Sequence, residues 1–302
     1  MHPLVFHPIY SQLPLPARHR FPIEKYQGIR DALAAHGVED RYFHQPEPLA
    51  KHLLFDHYER DYVEALLKGS LDAKAMRRIG FGWSPQLIQR TLTAVAGTCL
   101  TAKLAIESGK ALNLTGGYHH AFADFGSGFC LFNDLYLAAK TMQSYRHIDT
   151  VMIIDLDVHQ GDGTAKLAEN DASVFTLSLH GEKNFPHRKQ VSDLDFGLPK
   201  GARDDEYLTT LEQALTLAFR QFQPDAIIYD GGVDIHENDD LGLLDVTTEG
   251  VFTRDKMVFA TADKYGVPIA SVIGGGYQRD IAALVNVHLQ LYRAAGVVLK
   301  EK

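Results

Sequence analysis

Residues Ile153 to Gly163 read IIDLDVHQGDG, an apolar run that ends in Asp155, Asp157 and His159 at two-residue spacing, with Asp162 following between glycines. A strand ending needs one turn residue, and this one carries four groups able to hold a proton or a metal. In an extended chain, residues two apart point to the same side. Asp155, Asp157 and His159 are therefore expected to share a face if the strand runs that far. Crowded carboxylates repel, and burying them costs several kcal/mol unless a cation compensates. Carboxylate oxygen and imidazole nitrogen suit Zn²⁺, and Fe²⁺ or Co²⁺ less exclusively. Three protein ligands with one open position make a catalytic zinc site rather than a structural one. Asp157 and His159 supply two ligands. Asp234, in DGGVDIHENDD, is the best candidate for the third, and His236 is a rival two positions on. Taken singly, each aspartate has an ordinary reading, Asp157 as a helix cap and Asp162 before glycine as a turn. A cap, however, needs only one side chain.

Other strand-like runs end in equally reactive residues. Ala111–Thr115 is followed by GGYHH, in which Gly116 and Gly117 allow a sharp turn before His119 and His120. Imidazole is the usual acid–base group near neutral pH, and Asp155 and Asp162 remain to orient the two rings once Asp157 is assigned to metal. Val267–Ile273 leads into GGGY, where the glycines permit close backbone approach and Tyr277 offers a hydroxyl to a developing oxyanion. Cys130, in GSGFCLFND, reads as a small apolar filler rather than a nucleophile. Gly126 and Gly128 suggest a loop that brings Phe129 to a pocket wall.

The elements that must carry these groups are legible in outline. Short apolar strands are expected at Leu4–Phe6, Ala111–Thr115, Val151–Leu156, Val174–Leu179, Ala226–Tyr229 and Val267–Ile273. Most are apolar on both faces, as buried parallel strands are. Amphipathic helices are expected over about Gln89–Ser108 and Asp204–Phe222. The alternation predicts an α/β fold with a mainly parallel sheet, whose ligands gather at the carboxyl ends of the strands. The polar stretch His180–Gly201 reads as a long loop, of a length that is often functional.

With 302 residues, a formal charge of −8 and two cysteines, Cys99 and Cys130, the chain reads as an ordinary globular protein without a disulfide framework. A single domain over residues 1–302 is expected. The acidic balance argues against nucleic acid as a partner. No run approaches the roughly 20 apolar residues that span a bilayer. The N-terminal residues lack a signal-peptide pattern, so a cytoplasmic location is the default expectation. Oligomeric state is not legible.

Together, GGYHHAFADFGSGFCLFND, DLDVHQGDGT, SLHG, the Asp234 loop and GGGY stand in the order found in the histone deacetylase-like amidohydrolases. The chain resembles that family from HRFPIEKY to the last helices, most closely its class IV-like and bacterial branch. The resemblance implies the arginase/deacetylase fold and a zinc-dependent hydrolysis of N-acyl-lysine, in a peptide or protein, or of a small acylated amine. It implies zinc on Asp157, His159 and Asp234, with Fe²⁺ as the alternative, and His119 paired with Asp155 and His120 with Asp162. It also implies Tyr277 on the carbonyl oxygen and an acyl-lysine tunnel past Gly128, Phe129, Phe185, Leu241 and Gly275. A structural potassium ion is implied on Asp155, Ser178 and the carbonyls of Asp157, His159 and Leu179. Two departures stand out. FGWSP replaces the loop that usually carries a peptide-gripping aspartate, and Leu241 stands where methionine is frequent. The rival readings are a two-manganese ureohydrolase of the same fold, disfavoured by Gly161 two positions after His159, and a silent acyl-lysine-binding protein.

Overall fold

The structure is a computed structural model that describes residues 1–297. Its strands are β1 (Leu4–Val5), β2 (Phe43–His44), β3 (Lys110–Asn113), β4 (Val151–Asp155), β5 (Val174–Gly181), β6 (Leu194–Leu198), β7 (Ala226–Asp230) and β8 (Ile269–Val272). They form one sheet in the order β2-β1-β3-β8-β7-β4-β5-β6, with every pairing parallel. The helices are α1 (Lys25–Ala35), α2 (Arg60–Lys68), α3 (Ala73–Ile79), α4 (Pro85–Ser108), α5 (Asp134–Met142), α6 (Asp162–Ala168), α7 (Asp204–Gln221), α8 (Thr248–Tyr265) and α9 (Ile281–Ala294).

Alternation along the strands divides the core between the two faces of the sheet. Val151 and Ile153 of β4, Ile228 of β7 and Ala270 of β8 pack with Ala102, Ala105, Leu135 and Met142 of α4 and α5. Met152, Ile154, Ile227 and Ile269 face the other way, in the cluster that also holds residues of α1, α7, α8 and α9. Both faces are covered, which is why the strands read as continuous apolar runs. The long α4 begins where Ser84 accepts a hydrogen bond from the Leu87 amide, 3.0 Å, with Pro85 at the first helical position, and ends at Gly109.

Two expectations need correction, and one strand was not anticipated. β4 stops at Asp155, so extended alternation does not carry through Asp157 to His159. The His180–Gly201 stretch is not one loop. Its first two residues close β5, and Leu194–Leu198 forms the edge strand β6, whose alternating exposure is the half-covered pattern of an edge. The two-residue β2 was too short for a periodic signal.

One buried cation ties the strand ends together. Arg254 of α8, 0% exposed, donates to the carbonyls of Leu156 after β4 and of Gly231 and Gly232 after β7, and its Nε lies 2.9 Å from Asp255 Oδ1. Asp255 also accepts the Tyr229 hydroxyl. Replacing Arg254 with methionine should destabilise the chain by about 3–5 kcal/mol, because buried Asp255 loses its cation and keeps only the Tyr229 hydroxyl, and three carbonyls lose their donor. Denaturant unfolding of Arg254→Met measures this, and a loss below about 1 kcal/mol, the scale of an ordinary hydrogen bond, would refute the brace.

Candidate active site

The polar strand ends converge at one edge of the sheet. At the end of β4, Asp155 is paired in register with Ser178 of β5 and Asp230 of β7. Asp155 Oδ2 accepts from His119 Nδ1 at 2.8 Å, and its Oδ1 accepts the Asp157 amide at 3.2 Å. That turn swings Asp157 away from Asp155 into a different group. Asp157 Oδ1 accepts the amide and ring Nδ1 of His159, at 2.9 and 3.0 Å, and His159 Nδ1 lies 3.1 Å from Asp234 Oδ2. The donor atoms of Asp157, His159 and Asp234 all lie within 4.8 Å of one another, and all three residues are buried. His236 is not among them. Its ring is engaged instead with Thr248, Gln278 and the Asn238 amide.

This trio fits a divalent cation. Two carboxylates are buried side by side, and burial together with Asp157 pushes Asp234 up to about 7. Burial opposes charge on His159, yet its bonds to Asp157 and Asp234 lift it to about 10. The cluster is electrostatically short of positive charge. Backbone amides already fill the outward lone pairs, from Gly275 to Asp157 Oδ2 at 2.7 Å and from Val158 to Asp234 Oδ1 at 2.9 Å. A Cβ on Gly275 would stand 2.1 Å from Asp234 Oδ2 and 2.6 Å from Asp157 Oδ2, so glycine there preserves the cradle. Acid oxygens with one imidazole nitrogen are the donor set zinc takes.

The two histidines stand beside the trio, their ring centres 4.1 Å apart. Consecutive positive φ values at Gly116 (108°) and Gly117 (83°) make the turn that presents them. Asp134 holds that turn by accepting the amides of Gly117 and Tyr118, at 3.2 and 2.7 Å, and the Thr98 hydroxyl. Asn133 donates to the His119 carbonyl. His120 Nδ1 donates to Asp162 Oδ1 at 2.7 Å. Asp162 is also the first residue of α6, so it opens a helix rather than an isolated turn. Electrostatics separate the rings. Burial, then the neighbouring His119, push His120 down to about 4. Burial opposes charge on His119 as well, but Asp155 and Asp157 outweigh it and hold that ring protonated well above its ordinary range.

A cavity of about 510 Å³ reaches the trio at His159 and is lined also by His120, Gly128, Phe129, Phe185 and Tyr277, with Leu241 at its side. The Phe185 ring meets His120 edge-on, 4.9 Å between centres, and Phe129 lies 6.1 Å from Tyr277. Among the described residues Phe129 alone combines a side chain with positive φ (67°); its amide is bonded to the Ile79 carbonyl at 2.7 Å. Gly275, expected in this tunnel, lines a smaller space beneath it instead, together with Lys25, Tyr118, Cys130 and Tyr277. Cys130 is buried, and burial pushes its thiol up, in keeping with a filler. For the expected potassium ligands, Ser178 stands beside Asp155 across the β4–β5 pairing, and its hydroxyl lies 2.9 Å from His180 Nδ1.

Several participants were not singled out from sequence. Asp230 ends β7 as Asp155 ends β4. It is fully buried, no hydrogen-bond partner of its oxygens is found among the described residues, and burial and then Asp155 push it well above the carboxylate range. With His119 and Asp155 it forms a second convergent donor group. Its signal was present, since YDGG repeats the pattern of an apolar strand ending in an acid. Asp239 accepts the amides of Tyr277, Leu241 and Gly242, so one carboxylate positions both the tyrosine and the rim loop. Lys25, buried at the start of α1, donates to the carbonyls of Gly274 and Gly276, at 3.0 and 3.5 Å, and burial lowers it to about 8. Nothing local to HRFPIEKY announces a contact 249 positions away.

Comparison with known proteins bears on the family and the fold. The family model for the histone deacetylase domain matches residues 19–291. A protein of Picosynechococcus sp., described as uncharacterized, is 48% identical over 97% of this chain and 98% of its own length. Histone deacetylase 2 of Arabidopsis thaliana is 31% identical over 93% of this chain and 75% of its own. The acetoin utilization protein AcuC of Bacillus subtilis is 31% identical over 72% of this chain and 62% of its own. Among solved structures, an HDAC homologue from Aquifex aeolicus superposes with a TM-score of 0.83 at 22% identity, covering 99% of this chain and 85% of that one. An HDAC homologue complexed with SAHA gives 0.84 at 23% identity, covering 100% and 86%.

Proposed function

Because the chain belongs to the histone deacetylase domain family, we propose that it is a zinc-dependent deacylase that hydrolyses N-acyl-lysine, or a related acylated amine, to a carboxylate and a free amine. The observation that carries this reading is the buried Asp157, His159 and Asp234 trio at the floor of a cavity flanked by two histidine–aspartate pairs. These three residues would hold the metal, and when bound it supplies Lewis acidity at the reacting carbonyl.

The remaining roles belong to the chain's own groups. Phe129 and Phe185 wall the acyl-lysine stem and exclude water, with Gly128 and Leu241 at the entrance. His120, neutral at pH 7 and held by Asp162, accepts a proton from the attacking water. His119, held protonated by Asp155, stabilises negative charge near the reaction. Tyr277 donates its hydroxyl to the carbonyl oxygen as that atom gains charge. The proton on His120 then passes to the leaving amine. Asp155, Ser178 and the carbonyls of Asp157, His159 and Leu179 would bind a potassium ion that stiffens the β4–β5 corner. We read residues 1–302 as one catalytic domain. The free, buried Cys99 and Cys130 suit a reducing compartment, taken here to be the cytoplasm. Among the described residues no helix is long and apolar enough to cross a membrane.

Elemental analysis of purified protein, with acetate release from an acetyl-lysine peptide, tests the reading. One zinc per chain and metal-dependent release are expected. Two metals per chain would instead favour the ureohydrolase, using the His119, Asp155 and Asp230 donors as well. Tight peptide binding without release would favour the silent binder. Tyr277→Phe should lower turnover by about 10²–10³, the loss seen when one oxyanion donor is removed. Near-normal turnover in that variant would remove Tyr277 from the mechanism.

A further inference from the structure

The mouth of the cavity carries a charge opposite to that of the chain. Arg78 and Lys183 line the cavity above the trio. A second cleft of about 510 Å³ adjoins it and shares Tyr277 as a wall. This cleft is bounded by the Leu13–Glu24 segment, including Arg18 and Arg20, and by Asp240 and Arg279. Arg279 is neutralised by Asp240 at 2.7 Å. Arg18, Arg20 and Lys183 are exposed, without a hydrogen bond or ion pair to any described residue. Arg78 donates to the Gly126 carbonyl and stacks over Phe125 at 4.0 Å, so its charge is held in place but not cancelled. Against these four cations the two clefts set one unpaired acid, Glu24. The chain as a whole is at −8, so the cationic mouth does not follow from composition. It is also firm on the Lys183 side, because Lys189 Nζ donates to the carbonyls of Asn184 and Pro186 in the same loop.

We propose that the substrate is an acyl-lysine set in an acidic peptide segment, whose flanking carboxylates meet Arg18 and Arg20 on one side of Tyr277 and Arg78 and Lys183 on the other. This rests on the deacylase reading above and names its substrate class. It follows from charge complementarity, which governs encounter and register at partly exposed rims. An acylated polyamine is disfavoured by the same geometry, because its remaining ammonium groups would emerge beside Arg78 and Lys183. Trp83 and Ser84 put no carboxylate on the loop before α4, so peptide recognition here falls to the side chains of the rim.

The test compares, on the zinc-loaded full chain, three acetyl-lysine peptides of equal length flanked by Asp/Glu, by Gly/Ser or by Lys/Arg, together with acetylspermidine. Hydrolysis and fluorescence-anisotropy binding of dye-labelled peptides are both read. The acidic peptide should exceed the basic one by about tenfold in kcat/KM, the scale of a few rim ion pairs. Most of the difference should lie in KM and Kd and shrink as salt is raised. Arg18→Glu/Arg20→Glu should lower kcat/KM for the acidic peptide and raise it for the basic one, a gain that misfolding cannot produce. Equal values for the three peptides, a preference unmoved by charge reversal, or a preference for acetylspermidine would overturn the inference. In those cases cleavage of the Gly/Ser peptide leaves the deacylase reading standing. If neither a peptide nor acetylspermidine is cleaved, both readings fall.

Discussion

Asp234→Asn is expected to yield a folded chain that no longer retains stoichiometric metal and releases acetate at less than about 10⁻³ of the parental rate, since the metal is asked for several kcal/mol of charge stabilisation. The amide keeps the shape of the acid and its bond from the Val158 amide. Its oxygen can still accept the Val158 amide, and its NH₂ can donate to His159 Nδ1 once that nitrogen gives up its bond to Asp157 Oδ1. What it loses is one negative charge from the donor set. In the metal-free state that loss is favourable, because Asp234 and Asp157 are crowded enough to push Asp234 up to about 7. The metal-free variant should therefore melt no lower than the metal-free parent, while added zinc raises the melting temperature of the parent alone. Asp157→Ala should also lose metal, but at a cost in stability, since the amides of His159 and Gly275 would lose their acceptor while buried. Stoichiometric zinc in purified Asp234→Asn would sink the ligand assignment.

His120→Ala is expected to lower turnover by about 10²–10⁴ at unchanged metal content, the range for loss of a general acid–base group. Its ring faces the cavity against Phe185, so removal opens a space next to the reacting centre. Exogenous imidazole should restore part of the activity, which a purely structural role would not allow. His119→Ala should behave differently. That ring compensates Asp155, Asp157 and Asp230, so its removal leaves buried carboxylates without their cation. Its variant should lose stability more than His120→Ala does, lose less turnover per folded molecule, and show no rescue by imidazole. Equal turnover losses with equal rescue would remove the division of roles.

How much of this was legible before the fold was known can be judged residue by residue. Asp155, Asp157, His159, His119 and His120 announce themselves because each follows an apolar run at a place where one turn residue would suffice. Strand ends on one parallel sheet lie at one edge, so their convergence follows from the alternation of elements. The Asp155–Asp157–His159 group departs from the extended-strand expectation. These residues do not line one face of an extended strand. The chain turns after Asp155 and hands Asp155 to one cluster and Asp157 to another. The edge strand β6 was hidden inside a polar stretch, where half-buried alternation over five residues is a weak signal.

By itself the sequence determined the donor types, their place at strand ends, the parallel α/β architecture and the family. Each of these is written in local order, in the two-residue and 3.6-residue periods and in short motifs that act over a few positions. Only the tertiary structure decided which oxygens face one another, that Asp230 is a buried acid beside His119, that Lys25 and Asp239 brace the loop bearing Tyr277, and that arginines from distant segments make a cationic mouth. These are relations between residues far apart in the chain. They depend on strand register and on the packing of helices over both sheet faces, and a periodicity that repeats every few residues carries no record of either.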